Sequence, residues 1–187
     1  MRVTGGTLRG RALAEPPDSR VRPTSDKVRQ AIFNILAHNE YGVTLDGARV
    51  IDLFAGTGAL GIEALSRGAA YCLFVEESAE SRALIRRNVE ALNLTGVTKI
   101  WRRDATDLGP LGAGAGGPFE IAFLDPPYRK DLAAPALASR RAGGWLSPKA
   151  IAIAETAEDE TIAADGYEAL DRRSYGETAL HIFASSG

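Results

Sequence analysis

From Ala48 onward, short apolar runs alternate with stretches of helical periodicity, and this alternation limits the possible folds more than any other feature of the chain. Val50–Phe54, Tyr71–Val75, Lys99–Arg103, Phe119–Leu124 and Ile151–Glu155 read as strands. Runs this short and this apolar need cover on both sides, as in a parallel sheet. Between them, Ala59–Ser66, a segment capped by Ser78 and running to about Leu92, and Asp131–Ala142 read as helices. Pro135 weakens the last of these, because proline in a helix interior removes a hydrogen bond. Strands joined through helices give a mostly parallel sheet with helices on both faces. Tyr167–Arg173 and Thr178–Phe183 flank Ser174–Glu177 and read as a hairpin that adds an antiparallel edge. Ahead of the sheet, Thr24 or Ser25 caps a helix whose Val28, Ile32, Ile35 and Leu36 share one face. Residues 1–23 read as an arm of short extended pieces and turns, and 24–187 as the α/β domain. Residues 109–118 hold five glycines and are expected to form a flexible loop.

The chemistry of such a sheet lies beyond the carboxyl ends of its strands, where the strand order reverses. Two motifs fall at such ends. The first is Asp52-Leu53-Phe54-Ala55-Gly56-Thr57-Gly58-Ala59-Leu60-Gly61. Its glycines at 56, 58 and 61 fit the dinucleotide spacing, and Glu76 follows at the distance of a ribose-binding acid. A pyrophosphate would, however, sit beside the Asp52 carboxylate, and like charges in a dry crevice repel. A cofactor with an ammonium group suits that carboxylate better. S-adenosylmethionine has an ammonium, a sulfonium, a ribose and an adenine, and no phosphate. The backbone of Phe54, Ala55, Gly56, Thr57 and Gly58 could approach it closely. Glu76 and Glu77 close the second strand and could accept the ribose hydroxyls. Asp104 and Ala105 follow the third strand, where Asp104 could accept from an adenine amino group.

The second motif is Asp125-Pro126-Pro127-Tyr128, directly after Phe119–Leu124. The two prolines lack N–H groups and have fixed φ, so the turn is stiff and presents carbonyls. With the Asp125 carboxylate and the Tyr128 ring, these groups suit a flat substrate carrying an exocyclic amine: acceptors for its two N–H groups and a face to stack on. The alternative is a proline-rich turn that only ends a strand.

Composition narrows the class. Of 187 residues, 45% are hydrophobic and 25% charged, as in an ordinary globular protein. No apolar stretch approaches the roughly 20 residues of a membrane helix. Met1–Gly6 has no apolar core of the signal-peptide kind. The single cysteine, Cys72, allows no internal disulfide, and a cytoplasmic location is expected. His38 and His181 lie far from both motifs, and no metal-ligand cluster is evident. Residues 1–29 carry a net charge of +4 against −6 for the remainder. A basic arm on an acidic body suits a polyanion, with Arg2, Arg9, Arg11, Arg22, Lys27 and Arg29 as candidate phosphate contacts.

Together these stretches make the chain resemble a class I methyltransferase acting on an exocyclic or amide nitrogen. More narrowly it is similar to the RsmD family of bacterial 16S ribosomal RNA guanine-N2 methyltransferases. The narrower resemblance rests on Arg9-Gly10-Arg11, Arg22-Pro23-Thr24 with Asp26, Val28 and Arg29, Asp52 through Gly68, Asp125–Tyr128, Gly144-Trp145-Leu146 and Tyr175-Gly176. It implies a Rossmann-like fold with a seven-stranded sheet and an RNA substrate in the small ribosomal subunit, held by the arm residues including Thr24. It also implies methyl transfer from S-adenosylmethionine to guanine N2, with Asp125, Pro126, Pro127 and Tyr128 as the catalytic residues and Asp125 also among the residues that bind the cofactor. Monomer is the default for this size. The competing readings are methylation of adenine N6 or a glutamine amide, a NAD-dependent oxidoreductase, and a non-catalytic RNA-binding protein on the same scaffold.

Overall fold

The computed structural model describes residues 1–17 and 25–185. Its centre is a seven-stranded sheet: β1 (Arg49–Leu53), β2 (Tyr71–Val75), β3 (Thr98–Trp101), β4 (Phe119–Leu124), β5 (Leu146–Ala157), β6 (Tyr167–Tyr175) and β7 (Thr178–Ser185). The strand order is β3-β2-β1-β4-β5-β7-β6. The first five strands pair in parallel, and β7 lies antiparallel between β5 and β6. The order therefore reverses between β1 and β4, which leaves a crevice at their carboxyl ends.

Alternate residues of each strand face opposite sides, and the core divides accordingly. One side packs Val50, Phe74, Phe123, Ile153 and Ile182 against α1 (Asp26–Ala37), α2 (Ala59–Ser66) and α3 (Ala79–Ala91). The other side packs Ile51, Leu73, Leu124 and Ala154 against α4 (Ala133–Gly143), Trp145 and the segment before β4. Ser25 caps α1 and Ser78 caps α3 through bonds to Val28 N and Ser81 N. Pro135 sits in the first turn of α4, where its missing N–H has no partner to lose, so the helix survives it.

Two expectations change. Residues 109–118 form a largely exposed loop that is anchored to the body at a few points. Ala115 is fully buried, the Tyr71 hydroxyl donates to Ala115 O, and Trp145 Nε1 donates to Gly109 O. The segment covers part of the sheet face that only one helix occupies. The N-terminal residues also fold onto the body. A bridge between Arg2 and Ala12 and the bonds Val3 N to Arg11 O and Leu13 N to Met1 O make a hairpin, with Val3 and Leu13 buried.

Candidate active site

β1 and β4 end side by side, with Leu53 registered against Leu124. A cavity of about 540 Å³ opens beyond them. Its lining includes Asp52, Phe54, Ala55, Gly56, Thr57, Glu76, Glu77 and all of Asp125–Tyr128. The two sequence motifs, some seventy residues apart in the chain, thus share one crevice.

The glycine wall is built from backbone and close packing. Phe54 and Gly56 both adopt positive φ, so the chain turns sharply at the strand end. Glu76 holds the turn: its Oε1 accepts from Gly56 N at 2.9 Å and its Oε2 from Ser78 N at 2.9 Å. A carboxylate has about four acceptor positions, so two remain for a ligand. A Cβ on Gly61 would lie 2.5 Å from the Phe74 ring and 2.6 Å from Cys72 Sγ. Only glycine lets α2 approach β2 this closely. Asp52 is 1% exposed, and its Oδ2 accepts from Gly61 N at 3.0 Å. Burial pushes its carboxyl well above the ordinary range; the Gly61 N–H opposes this, and nearby Asp125 and Glu76 add to it.

The opposite wall is Asp125–Tyr128. The Tyr128 hydroxyl reaches Thr178 Oγ1 at 2.8 Å and Glu155 Oε1 at 3.2 Å. Ala59, Leu60, Ser78, Ser81 and Leu132 also line the cavity and were missed by sequence reasoning. A usable signal for the serines existed: the cap of the helix after the second strand must border the same crevice. Gly58, Asp104 and Ala105 are not among the lining residues. Gly58 is the N-cap of α2 at φ 81°. Asp104 is exposed and turns its carboxylate to Thr106 N and Oγ1, which holds it below the usual carboxylate range; Ala105 is buried in the core.

Of the candidate RNA contacts, Arg2, Arg9, Arg11 and Lys27 are exposed. Arg22 and Thr24 lie outside the described residues. Arg29 is corrected: its side chain is 0% exposed and cannot serve a surface phosphate. Its Nη2 donates to Arg2 O and Asp26 Oδ1, and its Nε lies 3.5 Å from Glu63 Oε1. Glu63, itself buried, also accepts from Thr4 N, Gly5 N and Arg67 Nε. Arg29 thus belongs to the lock that fastens the N-terminal hairpin to α2. Position on an amphipathic helix could not reveal this, because the buried carboxylate comes from another helix.

The family described as Conserved hypothetical protein 95 matches residues 1–184. Ribosomal RNA small subunit methyltransferase D of Escherichia coli strain K12 is 38% identical over 157 residues, which are 83% of this chain and 74% of that one. The chain belongs to the RsmD family. A Haemophilus influenzae protein of the same name is 29% identical, with 98% of this chain and 93% of that one covered. The solved Escherichia coli protein yhhF shares 29% identity with a TM-score of 0.81, covering 100% of this chain and 99% of its own. An RNA methyltransferase of Salinibacter ruber, solved with S-adenosyl-L-homocysteine, has the same fold at 12% identity and a TM-score of 0.64, with 87% of this chain and 92% of its own covered. As an RsmD-family methyltransferase, the chain is not a dehydrogenase.

The donor set of the cleft fits the cofactor of that fold. Four carboxylates, Asp52, Glu76, Glu77 and Asp125, line one crevice, and Asp125 and Glu76 disfavour the charge on Asp52. An ammonium and a sulfonium relieve that repulsion, whereas a pyrophosphate would add to it. Asp52, the Phe54–Thr57 turn, Glu76 and Glu77 are the residues that would hold it.

Proposed function

We propose that this chain uses S-adenosylmethionine to methylate N2 of a guanine in 16S ribosomal RNA, on RNA in or near the assembled small subunit. One observation carries the reading: Asp125-Pro126-Pro127-Tyr128 forms one wall of the same cavity whose other wall is the glycine turn. The names of the relatives supply the RNA; the tetrapeptide supplies a reason for an amine-bearing base.

Bound in the cleft, S-adenosylmethionine supplies a methyl group on a sulfonium whose departure is already easy. The work left to the protein is orientation, from which roughly 7–11 kcal/mol of a barrier can come. The guanine amine is a poor nucleophile because its lone pair is delocalised into the ring. Asp125 and the Pro126 carbonyl accept its two N–H groups, which favours a pyramidal nitrogen with its lone pair turned out of the ring. Tyr128 stacks on the base, an interaction worth about 1–3 kcal/mol. No strong base is needed at the start, since the nitrogen becomes acidic once alkylated; Asp125 or water then takes the proton. The target base must come from a loop or leave its stack to reach this wall.

Residues 1–23 act in this reading as the RNA-contacting arm of a methyltransferase domain spanning 24–187. Arg2, Arg9, Arg11 and Lys27 are the exposed cations that support it. Among the described residues no helix is long and apolar enough to cross a membrane, and a cytoplasmic site of action accords with one buried, unpaired cysteine. The test is incubation of the chain with tritiated S-adenosylmethionine and small subunits lacking the modification, followed by nucleoside analysis. N2-methylguanosine is the expected product. Labelled N6-methyladenosine, or label in protein, would move the substrate to another nitrogen.

A further inference from the structure

Tyr128 owes its direction to two buried residues far from it in the chain. Its phenol reaches Glu155 Oε1 at 3.2 Å and Thr178 Oγ1 at 2.8 Å. A carboxylate only accepts, so the phenol proton goes to Glu155, and the Thr178 hydroxyl donates to the phenol oxygen. Glu155 is 2% and Thr178 is 6% exposed, whereas the Tyr128 ring is only half-buried. Glu155 registers against Leu180, and Thr178 against Ala157. The two side chains are therefore diagonal neighbours on one face of an antiparallel pair, within reach of a single aromatic tip. This juxtaposition exists only because β7 returns antiparallel beside β5.

A half-exposed tyrosine at the end of a turn would otherwise sample several χ1 wells. Fixing its hydroxyl fixes the axis of its ring. We propose that Glu155 and Thr178 are positioning residues that hold the Tyr128 ring in the orientation its stacking partner requires, so that the C-terminal strand pair tunes turnover without touching the substrate. This rests on the function proposed above. RNA affinity comes chiefly from phosphate contacts, so a displaced ring should appear in kcat rather than in KM for RNA.

The experiment is a double-mutant cycle on the full chain with unmodified small subunits, reading kcat, KM and calorimetric affinity for S-adenosylhomocysteine. Tyr128→Phe and Thr178→Val should each lower kcat by about two- to tenfold, the worth of one hydrogen bond. KM for RNA and the affinity for S-adenosylhomocysteine should stay near wild type. Thr178→Ser, which keeps the hydroxyl, should restore kcat. The double variant should be no slower than Tyr128→Phe alone, because Thr178 acts only through the phenol. Should Thr178→Val fail to fold, Glu155→Gln replaces it in the cycle, with a smaller drop expected beside Tyr128 and none beside Phe. Additive losses, or a Thr178→Val variant at full rate, overturn the clamp while the active wild type upholds the parent reading. A wild type that transfers no label overturns both.

Discussion

The two walls of the cleft are held in different ways. The glycine wall is fastened locally, by Glu76 to the backbone of Gly56 and Ser78 and by Asp52 to Gly61. All of these lie between β1 and the start of α3. The tetrapeptide wall is fastened at a distance, by Glu155 and Thr178. The difference teaches which functions can be damaged separately. Changes in the first wall strike packing and cofactor together, because the same atoms do both. Changes in the second can slow turnover while leaving the cofactor half intact.

Four measurements would break or sharpen this contrast. The largest effect is expected from Asp125→Ala, which removes the acceptor for the base amine. It should lower kcat by about 10²–10³, the scale of losing one group that stabilises a transition state, while affinity for S-adenosylhomocysteine changes far less. Equal losses in both would erase the distinction between the walls. Next is Gly61→Ala. The added methyl meets Phe74 and Cys72 at distances no folded core tolerates, so stability should fall by about 1–3 kcal/mol in urea titrations. A change in turnover with unchanged stability would show that the first wall is not primarily a packing device.

The third concerns pH and the strand pair behind the second wall. Thr156 Oγ1 donates to Ala157 O, so His181 Nε2 must donate to Thr156 Oγ1 at 2.8 Å. Burial lowers the His181 pKa, and Arg172 adds to this. The unfolded chain therefore binds a proton more readily than the folded one. Stability should be full above the unfolded value of about 6.5 and fall as pH drops from there toward the depressed folded value, by about 1.4 kcal/mol per unit of difference. Chemical denaturation at several pH values, compared with His181→Gln, checks this; a slope that persists in the variant belongs to another group. The smallest effect concerns neither wall. Arg9→Ala with Arg11→Ala should flatten the salt dependence of RNA binding by about 0.7–0.9 in log–log slope for each phosphate that the two arginines neutralise. Binding unchanged at every salt concentration would release the hairpin from any role in RNA recognition.

The strands were legible because each is a run of apolar residues bounded by turn formers. β2 and β4 keep their expected bounds, while the ends of the other strands shift by a residue or more, most at β5, which extends from Leu146 rather than Ile151. β3 stops at Trp101, so Arg102 and Arg103 lie outside it. Strand ends are set by neighbours: β5 continues because Leu146 pairs with Phe119. The glycine turn and the tetrapeptide were legible as site elements because special backbone geometry demands special residues. Asp104 follows the third strand as expected, but it does not line the cavity, and its Oδ1 accepts from Thr106 N and Oγ1. The glycines of 109–118 suggested freedom, yet two of them, Gly116 and Gly117, have to be small because Tyr71 and Phe119 lie against them.

What the amino-acid order determined alone is the alternation of elements, the parallel sheet and the two motifs at its carboxyl edge, because periodicity and backbone chemistry act over a few residues. What only the tertiary structure decided is which charges are spent inside the molecule. Arg29 and Glu63 neutralise each other from different helices, and Glu155 meets Tyr128 from the neighbouring strand β5. Such pairings depend on burial and on partners distant in the chain, and a side chain's own neighbours in sequence carry no record of either.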